Sequence, residues 1–141
     1  MENKFNYGRM ILGGVLGAVV LFAVGFLVHG VLLKENYLFF QKMGSVLPEP
    51  GRANGMLIHS ASTIISGLCL SMLYVVARKF GGAGPMTAVK VGFTVGLFTI
   101  GGVSAEYAFY NLGGMIPLMT LADNIGGCIL ATLAAGLVYK D

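Results

Sequence analysis

Four stretches of this chain, about residues 9–33, 54–77, 86–110 and 115–138, are apolar almost throughout, with at most two charged or imidazole side chains apiece. A helix needs roughly 20 apolar residues to cross a hydrocarbon layer about 30 Å thick, and each run is long enough. In lipid, each backbone N–H and C=O must find its partner inside its own segment, so runs of this length are expected as helices. The rest of the composition leaves no other fold open. Of 141 residues, 56% are hydrophobic and 11% charged, whereas a soluble domain carries about 25% charged residues. The expectation is an all-α integral membrane protein, a single four-span domain over residues 1–141.

The breaks between runs carry turn chemistry: PEPGRANG before the second, GGAGP before the third, NLGG before the fourth. Pro85 and Pro117 fall in first turns, where a missing N–H does no harm, although Pro117 could instead kink the fourth helix. The first run has a basic start in Lys4 and Arg9. Its apolar length exceeds a secretory h-region and no A-x-A site follows, so it reads as a retained span. Short second and third connections make the helices antiparallel neighbours in an up-down four-helix bundle. Lys4, Arg9, Arg78, Lys79, Lys90 and Lys140 would share one side, and Lys34, Lys42 and Arg52 the other. That bias places both termini in the cytoplasm. The longer connection, residues 34–53, reads as an interfacial loop: Tyr37, Phe39 and Phe40 beside Lys34 and Lys42 suit the headgroup level, resting on the membrane or lidding the bundle. Gly13 and Gly17, at G-x-x-x-G spacing, suit helix contact within the chain, with a second copy or with a partner. Cys69 and Cys128 form no metal or disulfide pattern and read as core packing. The net charge of +3 is spread over segment ends, which argues against nucleic acid.

The spans also hold four ionisable groups toward one face: His29, His59, Glu106 and Asp123. At 1.5 Å per residue, His29 lies about 8 Å below Lys34, His59 about 10 Å below Arg52 and Glu106 about 8 Å below Asn111. Asp123 lies roughly 9–15 Å below the turn at 113–117. Helical neighbours put each on the small or polar side of its span. His29 shares a face with Gly25, Ala18 and Gly14, and His59 with Ser62, Thr63, Ser66 and Gly67. Glu106, next to Tyr107, shares a face with Gly102 and Thr99; Asp123, next to Asn124, shares one with Thr120, Gly127 and Ala131. A charge at the centre of a bilayer costs roughly 2.5–3.5 kcal/mol even on the lenient insertion scale, so the four are expected to face one another.

Three chemistries fit such a cluster. Two imidazoles and two carboxylates suit a borderline divalent cation such as Zn²⁺, Mn²⁺ or Fe²⁺, as bundle cores build metal sites. Haem b could take His29 and His59 as axial ligands, with Lys34 and Arg52 at its propionates. Without a cofactor, His29–Glu106 and His59–Asp123 pairs could fix helix register or relay protons. No nucleophile–base pair, phosphate loop or nucleotide motif occurs.

The opening YGRMILGGVLGAV, the middle LYVVARKFGGAGPMTAVKVG and the ending LATLAAGLVYKD resemble small four-span bacterial inner-membrane proteins of unknown function. The resemblance implies a compact bundle in a bacterial plasma membrane and carries no activity with it. From the residues, the expectation is a non-enzymatic accessory or structural subunit, or a small-ligand binder. The rival is a metal- or haem-holding protein.

Overall fold

A computed structural model describes residues 5–46 and 52–139, and every element in them is helical. The first span is α1 (Tyr7–Gly25), which continues as a π-helical segment (Phe26–Leu32). A second helix, α2 (Lys34–Lys42), follows at once. The second span is α3 (Arg52–Gly81). The third is α4 (Pro85–Phe98) and α5 (Ile100–Phe109), and the fourth is α6 (Met115–Val138). Four helical stretches are long and apolar enough to cross a membrane: Tyr7–Leu32, Asn54–Gly81, Pro85–Phe109 and Met115–Val138.

Local chemistry sets the helix ends. Asn6 caps α1, its Oδ1 accepting from the Arg9 N–H at 3.1 Å. Pro85 opens α4 at a position that needs no donor, and Pro117 falls in the first turn of α6. Between α3 and α4 the backbone reverses through Gly82 and Gly84 at φ +78° and +152°, a region closed to most other residues. The Thr87 hydroxyl donates to the carbonyls of Gly81 and Gly82, pinning α4 to the end of α3.

Small residues decide how the spans pack. Lipid tails are as apolar as leucine, so helices in a bilayer associate through close van der Waals contact rather than by escaping water. At Gly67 the backbones of α1 and α3 touch: an added Cβ would meet the Gly14 carbonyl and would stand 2.5 Å from the Ala18 nitrogen. Gly13 and Gly17 of α1 lie against Ala135 and Ala131 of α6. Gly92 and Gly96 of α4 lie against Cys128–Ile129 and Ile125 of α6. Along α1 the residues met on α6 descend, from Ala135 at Gly13 to Ala131 at Gly17, and along α4 they descend from Cys128–Ile129 at Gly92 to Ile125 at Gly96. A middle core of Leu70, Cys128 and Ala131 is joined by Val20, Leu21 and Val95. Ser71 and Thr132 are fully buried and satisfied: Ser71 donates to the Met10 carbonyl and Thr132 to that of Cys128.

At one end, Tyr74, Val75, Ala88 and Tyr139 form a cluster with Phe5, Met10 and Leu133. The Tyr139 hydroxyl accepts from the Asn6 N–H at 3.2 Å, bringing the start and finish of the helical chain together.

At the other end the structure departs from the expected loop. Residues 34–42 of the segment 34–53 form α2, not a loop, while residues 47–51 lie outside the described residues. Lys, Glu, Leu, Gln and Lys there are helix formers with no glycine or proline among them. The π-helical segment and the break at Leu33 redirect the chain, so that α2 lays Phe40 and Tyr37 onto Val28, Leu33, Ile116, Leu112 and Met119. The third span breaks at Thr99, whose N–H bonds the Gly96 carbonyl, and beyond it only Val103 of α5 is buried. Cys69 is exposed rather than in the core, where only Cys128 lies.

Candidate functional site

Of the four ionisable groups, the structure brings together two. His29 Nε2 lies 3.3 Å from Asp123 Oδ2, across the contact between the π-helical segment and α6. The other ring nitrogen, Nδ1, lies 2.9 Å from the Tyr37 hydroxyl on α2. With a proton on Nε2 the ring can donate toward the Asp123 carboxylate, which leaves Nδ1 to meet the Tyr37 hydroxyl. The result is a chain of polar contacts, Tyr37–His29–Asp123, that links three helical elements.

Two glycines border Asp123: a Cβ on Gly25 would stand 3.7 Å from Oδ2, and one on Gly127, a turn along the same helix, 3.6 Å from Oδ1, both ordinary contact distances. The Asp123 side chain is 12% exposed and that of His29 30%. Within the bilayer such a pair is tolerated because each member satisfies the other.

Tyr37 joins through backbone geometry rather than sequence spacing. Eight residues span about 12 Å along an unbroken α-helix, too far for an ordinary side-chain pair. The π-helical segment, closed by the Leu33 N–H on the Val28 carbonyl at 2.9 Å, and the break after it fold α2 back over His29. Segments of this kind recur at functional positions.

His59 and Glu106 do not join, contrary to the expected four-group cluster. His59 is exposed, and its ring lies against Phe22 with centroids 6.4 Å apart. The Gly14–Gly67 contact draws α1 and α3 together, but at His59 the facing residue is a phenylalanine and the imidazole is left on the surface. Glu106 is exposed because α5 leaves the packed helices at Thr99.

The supporting residues scatter in the same way. Thr63 is buried and donates to the His59 carbonyl, whereas Ser62 donates to that of Ile58 on an exposed face shared with Ser66. Asn124 Nδ2 donates to Thr99 Oγ1 at 3.1 Å, bracing the break in the third span and not the His29 chain. Tyr107 is exposed.

This arrangement does not suit the cofactors considered. Among the described residues no group of three or more His, Cys, Asp or Glu side chains is placed to hold a metal ion. Both nitrogens of His29 face protein partners, so a metal ion there would have to displace Tyr37 or Asp123. For haem the partner ligand would be His59, which lies on an outer surface. Lys34 is exposed at the start of α2, and the Arg52 side chain lies outside the described residues. What the chain can do chemically is hold three elements in register through two polar contacts. No protein-family profile, curated protein or solved structure shows a match to this chain.

Proposed function

We propose that this is a small non-enzymatic protein of a bacterial cytoplasmic membrane, a four-span up-down bundle with both termini in the cytoplasm, acting as an accessory or structural subunit. The observation that carries the reading is the use of both His29 nitrogens in tying α2 and α6 together. With one nitrogen on Tyr37 and the other beside Asp123, His29 bridges three helical elements, which supports an architectural role. The subunit role draws support from the open half of the molecule. The start of α3, with Leu57 71% and Ile58 69% exposed, and α5, with Val103 alone buried, leave much apolar surface uncovered by the described residues. Small residues at Gly101, Ala105 and Ala108 recur along α5 at the spacing that membrane helices use for close contact.

Elemental analysis of protein purified in mild detergent without added metal, beside a His29→Ala variant, tests this reading. The expected result is no stoichiometric iron, zinc or manganese in either sample, with a lower unfolding midpoint in the variant. Metal near one per chain that disappears with His29 would overturn it.

A further inference from the structure

The end of the molecule opposite the Tyr37–His29–Asp123 chain has a one-sided charge. Hydrogen bonds from Ser71 to Met10, from Asn6 to Tyr139 and from Gly84 to the Tyr74 hydroxyl gather this end. It carries Arg9, Arg78, Lys79 and Lys90. The carboxylates among the described residues, Glu35, Glu106 and Asp123, all belong to the other half. In the sequence, Lys4 and Lys140 beyond the described residues are offset by Glu2 and Asp141, so the four cations remain in excess.

Their roles differ. Arg78 is committed to the fold: its guanidinium lies 4.9 Å from the Tyr139 ring centroid and donates to the Tyr139 carbonyl at 3.1 Å. Lys79 is held over the Phe5 ring at 4.8 Å, at the rim of the same cluster, and remains exposed. Lys90 is the unusual one. It lies five residues into α4, about 8 Å past Pro85. It is exposed, opposite Ala88, which packs toward α3, and Gly92, which meets α6, and it shares its face with the exposed Met86, Phe93 and Leu97. Inside a bilayer that face meets lipid, where an ammonium is stable only if its stem carries it up to a phosphate. Tyr7 and Phe80, 65% and 88% exposed, flank the same end as headgroup-level rings.

We propose that this end is a docking surface for anionic phospholipid headgroups, with Lys79 and Lys90 meeting the phosphates. The inference rests on the membrane orientation proposed above and is independent of what His29 does. An anionic surface attracts each nearby lysine or arginine enough to change lipid preference roughly fivefold.

Native mass spectrometry of the whole protein, offered equal amounts of phosphatidylglycerol and phosphatidylcholine, tests it. The expected result is preferential retention of phosphatidylglycerol, weakened by salt. That preference should fall roughly fivefold in Lys79→Gln and again in Lys90→Gln, and should stay unchanged in a Lys34→Gln, Lys42→Gln protein. Unfolding midpoints close to that of the parent would show that each variant is folded. Equal retention of the two lipids by the parent would overturn the proposal. So would a preference that survives loss of both Lys79 and Lys90, or one that follows Lys34 and Lys42. Terminal reporters placing both ends outside the cytoplasm would remove the orientation on which it rests, whereas metal on His29 would leave it intact.

Discussion

Single glycines set the distances between these helices. At Gly67 and Gly92 an added methyl would strike backbone atoms of the neighbouring helix, Ala18 N in one case and Ile129 Cα in the other, each at 2.5 Å. Backbone cannot swing aside as a side chain can, so Gly67→Ala and Gly92→Ala should each destabilise by about 1–3 kcal/mol, the range for overpacking. Gly126, in the same helix as Ala131 but facing open space, supplies the control. There, Gly→Ala should be neutral or stabilising by up to about 1 kcal/mol through reduced backbone freedom. Thermal unfolding in detergent reads all three, and equal losses at Gly126 and Gly67 would contradict the packing described. At this scale the sequence was only half legible. Helix α3 presents two rows of small residues about 100° apart, Thr63–Gly67–Ser71 and Ser62–Ser66–Cys69. Helical periodicity cannot say which row meets α1. The structure buries the first, while His59, one turn before Thr63 on that same row, stands exposed beside Phe22.

Elements were legible where length and apolarity decide them. All four spans stand within a few residues of where the sequence puts them, because the thickness of a bilayer is a condition on composition alone. What the sequence concealed are the breaks inside those spans. The π-helical turn after Gly25 and the interruption at Thr99 go with tertiary contacts: Phe40 clustered with Ile116 and Val28, and Asn124 bonded to Thr99. The first brings Tyr37 to His29, and the second takes Glu106 away from Asp123. If Phe40 is what seats α2, then Phe40→Ala should free residues 34–42 while the rest stays folded. Amide exchange there should quicken at least tenfold, with little change in the α3 segment around Leu70. Uniform quickening across all spans would show instead that α2 is integral to the core.

For the molecule as a whole, the proposed function makes the two ends distinct. One end joins Asn6, Tyr139 and the α3–α4 turn through aromatic rings and cations. The other is closed by α2 through a hydrophobic cluster and the Tyr37–His29–Asp123 chain. Topology reporters should therefore report the cytoplasm when fused after Tyr139 or inserted at Gly82, and the outside when inserted at Gly44. A reporter at Gly44 that reads cytoplasmic would reverse the orientation. The central claim is that His29 acts as a tie between α2 and α6, and a double-variant cycle tests it most directly. Unfolding free energies in detergent would be compared for the parent, Tyr37→Phe, Asp123→Ala and the combination. Each single change should destabilise, by about 1 kcal/mol for the lost hydroxyl and about 1–3 kcal/mol where the Nε2 donor is left unsatisfied. Because both partners act through one imidazole, the double variant should depart from the sum by 0.5 kcal/mol or more. Strict additivity would mean that the two contacts are independent and that His29 ties nothing together.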